Sequence, residues 1–266
     1  MVPQLAQQLE PLVGRAVTQE EVLRLLSQGS VYRSKVRYRH PGLPPLGTVE
    51  VFWPDLAVTE FTLDPDRVFW QDEHFLVVDK PAGVNTGPSP FSDLDCLTWG
   101  VQKYLGPEFP IHAVHRLDRD TRGLIFFAKN KPAELALHQM FRDRRVRKVY
   151  RAITPDFSAV LGPPQNWYRW RDTLDFRGKV QSAATDALIS GVDELGRLLW
   201  TVLPHTGRPH QIRRHFAHYL APLWGDRAYA SGVYGPDEPL GLACVAYRFR
   251  HPFTGERVNL ALVDKS

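Results

Sequence analysis

The segment HRLDRDTRGLIFFAK, residues 115–129, sets a dense run of charged side chains directly before an apolar stretch. Leu124–Ala128 is short and apolar and follows turn-forming residues, which predicts a buried β-strand. Polar side chains crowded at the mouth of a strand serve a site or a tight turn, because a strand interior would not tolerate them. Spacing alone leaves both open: Asp118 and Asp120 can accept backbone N–H groups in a turn, or can carry chemistry.

Outward from this segment the chain contains more short strand candidates than helices. Apolar runs bounded by turn residues recur at Phe75–Val78, Leu198–Leu203 and Val258–Val263. Helical spacing is present at 133–142 and 209–220, without a regular alternation of strand and helix. We therefore predict an α+β fold on a mixed, mostly antiparallel sheet over residues 63–266, preceded by a small module over residues 1–62.

The N-terminal module combines two helices with a basic strand. Thr18 and Glu21 form a capping-box pattern at the start of the second helix, and Gly29 suits its end. The segment VYRSKVRYR, residues 31–39, predicts a single strand with four cations on one face. Such a face can follow a phosphate backbone or can simply be solvated, and the sequence favours neither.

Composition excludes several classes of protein. The formal net charge of +4 is compatible with a polyanionic ligand but does not identify one. Two distant cysteines, Cys96 and Cys244, make a disulfide framework or a cysteine-based zinc site improbable. No basic and apolar leader and no membrane-length apolar run is present, so we expect a cytoplasmic protein without a membrane partner.

A second charged segment, TGRPHQIRRHFAH, spans residues 206–218. On a helix, Arg213 lies at the margin of the buried stripe, where a guanidinium needs an anion of matching geometry such as a carboxylate. Arg214 points further outward, toward solvent or phosphate. Four histidines in and beside this segment invite a zinc interpretation, but only His215 and His218 share a helix face closely, so we predict no metal site.

A third segment, RDRRVRKVYR, residues 142–151, carries six basic residues and one acid. Solvated basic faces are common, so the charge run by itself is weak evidence for a ligand. Strand alternation, however, puts Tyr150 on the same face as Lys148, and an aromatic ring beside cations can stack on an unpaired base.

The pattern Asp118-x-Asp120-Thr121 also invites comparison with phosphatases that use an aspartyl phosphate and Mg²⁺. In that chemistry the aspartates follow a buried strand. Here His115 and Arg116 interrupt any preceding strand and the apolar strand comes afterwards, so the order argues against a phosphatase.

Together the three segments resemble the RluA-type family of RNA pseudouridine synthases over roughly residues 66–263. The resemblance lies in His-Arg-Leu-Asp at 115–118 with Asp-Thr-x-Gly at 120–123, in Lys-x-Tyr at 148–150, and in Thr-Gly-Arg-x-His-Gln-Ile-Arg-x-His at 206–215. Asp-Lys-Pro-Ala-Gly at 79–83, Gly-Asp at 225–226 and His-Pro at 251–252 fall in the same order. Arg122 and Val245 depart from the family pattern, which usually has serine and histidine there. Residues 1–62 resemble a degenerate αL-type RNA-binding module, because Gln19, Glu20 and Glu21 open a helix that is usually basic.

The resemblance implies a pseudouridine synthase catalytic domain that isomerises specific uridines in ribosomal or transfer RNA by base flipping. Asp118 would initiate glycosidic cleavage as nucleophile or base, Tyr150 would stack on the flipped uracil, and Arg213 would pair with Asp118 and hold its carboxylate in place. Arg116 would fill the space that the base leaves. The residues implied to bind substrate are His115, Arg116, Thr121, Lys148, Arg208, His210, Gln211, Arg214 and His215. No cofactor is implied, the protein is expected to be a monomer, and the alternative is an RNA-binding protein of this fold that has lost catalysis.

Overall fold

The computed structural model describes residues 2–41, 49–54, 58–109, 111–156, 167–235 and 237–263. The chain divides into two compact units, Met1–Leu63 with Asn85–Pro107, and Asp64–Val84 with Glu108–Ser266. The first unit therefore includes a stretch that the sequence assigned to the larger domain. No helix within the described ranges is long and apolar enough to cross a membrane.

The first unit builds its core from two helices and a three-stranded sheet. Its elements are α1 (Val2–Val13), α2 (Gln19–Gln28), β1 (Val31–Arg33), β2 (Val36–Arg37), β3 (Val49–Val51) and α3 (Leu97–Leu105). Leu5, Leu9 and Val22 are among the buried side chains that α1 and α2 contribute to this core. The capping box is present in full: the Glu21 amide donates to the Thr18 hydroxyl while the Glu21 carboxylate accepts from the Thr18 amide.

The predicted single basic strand is wrong. Ser34 and Lys35 both adopt positive φ, so the chain reverses there, and β1 and β2 form a tight antiparallel hairpin. Arg37 donates to the carbonyl oxygen of Gly29 at 2.5 Å, and Arg39 hydrogen-bonds the Ser27 carbonyl near the end of α2. Both arginines also form ion pairs with Asp93, in the stretch added to this unit. Two of the four cations are thus engaged within the unit.

The second unit is organised on a nine-stranded sheet with the order β4-β5-β6-β11-β7-β10-β9-β8, in which β12 also pairs with β11. A short 3₁₀ helix, Pro65–Arg67, leads into the sheet. The strands are β4 (Val68–Gln71), β5 (Phe75–Lys80), β6 (Arg122–Ala128), β7 (Arg147–Thr154), β8 (Tyr168–Phe176), β9 (Lys179–Val192), β10 (Leu198–Pro204), β11 (Leu242–Arg250) and β12 (Arg257–Ala261). Every pairing is antiparallel except that of β6 with β11, so the predicted mixed, mostly antiparallel sheet is confirmed.

In the described part of this unit, two helices accompany the sheet, α4 (Lys131–Arg142) and α5 (Gln211–Tyr219). Phe216 of α5 is fully buried and meets Trp170 and Trp200 edge to face, which anchors the helix on the strands. The predicted helix over 209–220 begins two residues late, because His210 at its N-terminal boundary adopts a left-handed conformation with φ of 52°.

The parallel pairing in this sheet brings the first two residues of β6 against β11 and depends on Gly123. This glycine has φ of +106°, and a Cβ atom there would overlap the Cys244 carbonyl group. The close approach pairs Gly123 with Cys244 and Arg122 with Ala243. Only a residue without a side chain fits, so Gly123 fixes where the segment carrying Asp118 meets the sheet.

We predict that Gly123→Ala destabilises the protein by about 3 kcal/mol or more, because overlap with backbone adds to the strain of positive φ. Urea unfolding would measure the change. Gly178→Ala is the matched control: it also has positive φ but nothing lies within 4 Å of its Cβ position, so we expect a cost of only about 1 kcal/mol. Equal costs for the two variants would contradict the role of the close contact.

Candidate active site

A cavity of about 960 Å³ opens in the second unit where four parts of the chain meet. These are the loop before β6, the last turn of α4 with the start of β7, the end of β10, and the loop leading into α5. Its lining includes Asp118, Thr121, Lys148, Tyr150 and Arg213. The three segments that the sequence singled out therefore line one cavity, as their resemblance implied.

Arg213 lies between two carboxylates at the base of this site. Its Nε and Nη2 atoms donate to the two oxygens of Asp226 at 2.8 and 2.7 Å, and its Nη1 atom is 3.6 Å from Oδ2 of Asp118. The predicted pairing with Asp118 is present, but the bidentate partner is Asp226. Burial opposes the charge of Arg213, yet the hydrogen bonds and charge of Asp226 prevail and raise the pKa of the guanidinium.

Tyr150 and Lys148 project from β7 into the same cavity, as strand alternation predicted. Burial, together with the neighbouring Cys244 thiol, raises the pKa of Tyr150 well above its ordinary value, so its hydroxyl keeps its proton near neutral pH. Burial lowers the pKa of Lys148, whose Nζ atom lies 5.8 Å from the centre of the Phe141 ring. An aromatic ring beside a weakly solvated cation suits a flat, polar ligand.

The loop that carries Asp118 is supported by Lys80. This fully buried lysine donates to the carbonyl oxygens of Arg119 and Pro81 at 2.8 and 2.9 Å. Burial lowers the pKa of Lys80 to about 8 even though Asp120 and Asp118 oppose the shift. A cation held in this way fixes the loop through its backbone and leaves the Asp118 side chain available to the cavity.

The loop into α5 contributes His210 and Arg208. The Nδ1 atom of His210 lies 3.1 Å from the Tyr229 hydroxyl, and its Nε2 atom is 3.9 Å from Oδ1 of Asp118. Arg208 donates through Nε to the Ser182 carbonyl at 2.9 Å, and its terminal nitrogens do not take part in this contact. Both residues line the cavity, where the resemblance implied substrate contacts.

Gln211 lines the cavity but uses its side chain within the protein. Its amide nitrogen donates to the Ala184 carbonyl and the Thr185 hydroxyl, while its oxygen accepts from the Thr206 hydroxyl and the Arg208 amide. With both donors and two acceptor sites engaged, Gln211 fixes the loop into α5 against β9, so it holds the substrate-binding loop.

His115 has a similar supporting position at the cavity wall. Its Nε2 atom accepts a hydrogen bond from the Phe126 amide at 3.2 Å, and burial lowers the pKa of the ring to about 3. The imidazole is therefore neutral at physiological pH. Arg116, next in the chain, is exposed and lines the cavity.

Two residues assigned to substrate binding do not line the cavity. His215 is fully buried and meets Trp170 and Tyr219 edge to face, because position 215 faces the sheet when Arg213 faces the cavity. Arg214 donates to the Asp175 carbonyl at 2.6 Å. The structure thus corrects the assignment of His215, which is a core residue, and it shows that Arg214 holds the β8–β9 turn outside the cavity.

Asp226 and Lys80 have no role predicted from the sequence, although both lie in short segments of the family resemblance. Each is buried and charged, a combination that costs free energy unless a partner is present. Asp226 lies 13 residues from Arg213, and Lys80 lies 39 residues from Arg119, so no local spacing identifies these two contacts. Among the described residues no group of three or more histidine, cysteine or acidic side chains is arranged to hold a metal ion.

The Asp118 carboxylate lies beside a buried arginine, in one cavity with a tyrosine and several cations. This arrangement suits an enzyme that binds a polyanion and reacts with a flat base. The family model described as RNA pseudouridylate synthase matches residues 74–218, more than half of the chain. The chain belongs to this family. It is an isomerase that converts uridine in RNA to pseudouridine, and the phosphatase hypothesis is set aside.

Two curated relatives illustrate the match. The dual-specificity RNA pseudouridine synthase RluA of Vibrio vulnificus (strain CMCP6) is 33% identical over 212 residues, covering 74% of this chain and 84% of that protein. The ribosomal large subunit pseudouridine synthase C of Buchnera aphidicola subsp. Acyrthosiphon pisum is 26% identical over 277 residues, covering 92% and 85%. The RluA-type resemblance is confirmed.

A solved structure supports the fold independently. Human RNA Pseudouridylate Synthase Domain Containing 4 superposes with a TM-score of 0.59 at 22% identity, covering 74% of this chain and 88% of that chain. At this identity the likeness concerns the fold, and it confirms the predicted pseudouridine synthase type of sheet domain.

We predict that Asp226→Asn lowers the free energy of unfolding by about 2–4 kcal/mol, because a buried guanidinium loses its charged bidentate partner. Urea unfolding at pH 7 would measure it. The control is Asp143→Asn, which removes an exposed ion pair with Arg145 and should change stability by no more than about 0.5 kcal/mol. Similar losses in both variants would contradict the importance of the buried pair.

A second prediction concerns acid stability. Neither ring nitrogen of His215 has a hydrogen-bond partner among the described residues, and burial lowers its pKa from 6.5 to about 4. Between those values the unfolded chain binds more protons than the folded one, so stability falls as the pH drops. This histidine alone should cost about 2 kcal/mol between pH 7 and pH 5.

His215→Phe keeps the aromatic packing and should remove that share of the pH dependence, measured by urea unfolding at both pH values. His138→Phe, at an exposed helix position, serves as control and should retain the wild-type dependence. An unchanged dependence in His215→Phe would show that the ring is not held neutral by burial.

Proposed function

We propose that the substrate is ribosomal or transfer RNA and that one specific uridine at a time enters the cavity. The names of the two relatives, one for the ribosomal large subunit and one for dual specificity, support this choice. We also propose that the enzyme acts as a monomer in the cytoplasm, where such RNA is available and two unpaired cysteines remain reduced.

The observation that carries the mechanism is the position of Asp118, 3.6 Å from the buried Arg213 and in one cavity with Tyr150. Asp118 initiates cleavage of the uridine glycosidic bond, as a nucleophile or as a base. Arg213 orients the carboxylate and is itself held by Asp226. Tyr150, protonated at neutral pH, stacks on the uracil while the base turns and is rejoined through carbon.

The target uridine has to leave its stack before it can reach Asp118, at a cost of a few kcal/mol. Arg116, exposed at the cavity, fills the vacated space. Thr121 contributes a buried hydroxyl with no hydrogen-bond partner among the described residues, which a polar atom of the bound nucleotide would satisfy. Further cations line the cavity and contact phosphates; they are Arg142, Arg144, Arg147, Lys148 and Arg208.

We propose that the reaction needs no cofactor. Isomerisation moves the uracil from one attachment to another within the same nucleotide, so no electrons and no chemical group are exchanged with a second substrate. The residues named above supply the carboxylate, the orienting charge and the stacking surface that such a rearrangement requires.

The central prediction is that Asp118→Asn abolishes activity while leaving the fold intact, because an amide can neither attack nor accept a proton at neutral pH. Tritium release from RNA labelled in uracil should fall by at least about three orders of magnitude. Asp120→Asn, two residues away in the same loop, is the matched control and should retain activity within about threefold.

Equal activity of Asp118→Asn and wild type would contradict the role of Asp118. RNA binding by the wild-type protein without tritium release from any cellular RNA would support the alternative of a protein that has lost catalysis. Mapping pseudouridines in total RNA from a strain lacking the protein would identify the target.

A further inference from the structure

His205 stands at the end of β10 and lines the cavity, yet the mechanism above does not use it. Its side chain is 43% exposed. Its backbone amide donates to the Ala184 carbonyl of β9 at 2.8 Å, so the residue has a fixed position. The loop that starts here reaches His210, whose Nε2 atom is 3.9 Å from Asp118, and therefore runs from the rim of the cavity toward the catalytic carboxylate.

The His205 ring is oriented by a pair of charged residues from two neighbouring strands. Its Nε2 atom lies 2.8 Å from Oδ2 of Asp186 on β9. The other oxygen of Asp186 accepts from Nη2 of Arg171 on β8 at 2.7 Å. Partial burial opposes ionisation of Asp186, but the hydrogen bonds from His205 and Arg171 outweigh it and lower the pKa of the carboxyl group.

This arrangement fixes which ring nitrogen is available. The charged carboxylate accepts the Nε2–H group, and Nδ1 has no hydrogen-bond partner among the described residues. Arg171 compensates the charge of Asp186, so the pair leaves no net negative charge to repel a polyanion. A ring that is held in place through one nitrogen and has its other nitrogen available is typical of a ligand-binding residue oriented by neighbouring side chains.

We propose that His205, oriented by Asp186 and Arg171, binds the sugar–phosphate backbone of a nucleotide flanking the flipped uridine. The inference rests on the proposed function and extends its site. The flipped base has to lie beside Asp118 and Tyr150. His205, in contrast, lies at the exposed rim of the cavity, where the RNA strand enters. Nδ1 accepts from a ribose 2′-hydroxyl, or donates to a phosphate oxygen when the ring is protonated.

The test is steady-state kinetics on an oligoribonucleotide that carries the uridine mapped in total RNA. We expect His205→Ala to raise KM about 3- to 10-fold with kcat unchanged, because one hydrogen bond to bound RNA is lost and the chemical step is not touched. His138→Ala is the matched control: it also lies near a carboxylate on the surface but does not line the cavity, and its KM should stay at the wild-type value.

Two further variants separate binding from folding. Asp186→Asn retains His205 but loosens its orientation, so KM should rise by less than in His205→Ala. His205→Gln keeps a polar group and should recover part of the lost affinity. Melting temperatures within a few degrees of wild type would show that these variants fold. If one of them fails to fold, the KM of the remaining folded variants is compared with that of wild type.

Modified substrates distinguish a contact of His205 with a ribose 2′-hydroxyl from a contact with a phosphate. If it is a 2′-hydroxyl, a 2′-deoxy substitution at one flanking nucleotide raises KM for wild type but not for His205→Ala. If it is a phosphate, no deoxy position has this effect, and His205→Ala instead lowers the dependence of KM on salt concentration. Either result supports the proposal.

Wild-type KM and kcat in His205→Ala would overturn the inference, as would a fall in kcat alone. Neither result would affect the proposed function, which fails separately if the wild-type protein forms no pseudouridine in any RNA.

Discussion

The buried guanidinium of Arg213 contacts both a buried carboxylate of the fold, Asp226, and the carboxylate that faces the cavity, Asp118. A charge removed from water is stable only if its hydrogen bonds and its counter-charge are supplied by the protein. Asp226 supplies both through a bidentate contact, and the remaining Nη1 atom lies 3.6 Å from Asp118. Since the carboxylate of Asp226 holds the plane of the guanidinium, the position of Asp118 depends on a buried ion pair as well as on its own loop.

The sheet brings these residues within reach of each other. Asp118 precedes β6, Tyr150 lies on β7, and β11 lies between these two strands in the sheet. The parallel pairing of β6 with β11 depends on Gly123, because no side chain fits against the Cys244 carbonyl group. Lys80 then holds the loop through the Arg119 carbonyl. Backbone constraints and one buried cation thus define the loop, which leaves the Asp118 side chain for the substrate.

Charge inside the site is distributed unevenly, and burial is the cause. The rings of His115 and Tyr150 are neutral at physiological pH because burial opposes their charged forms. Arginines retain their charge and surround the cavity. The neutral aromatic side chains suit an uncharged uracil, while the arginines suit the phosphates on either side. This distribution of neutral rings and arginines matches a substrate in which one uncharged base is flipped out of a negatively charged RNA strand.

Local sequence patterns predict the α+β class, the positions of β5, β6, β10 and β12, and the three segments that meet in the cavity. Those properties depend on local patterns: apolar runs, caps, strand alternation and short motifs such as the one ending at Asp118. Several charge pairs and one buried histidine became evident only in the folded chain. Asp226 binds Arg213, Arg37 and Arg39 turn onto Asp93, and His215 enters the core. Packing and the cost of burying charge determine which distant residues pair and which face of a helix enters the core. Local spacing in the sequence does not encode either.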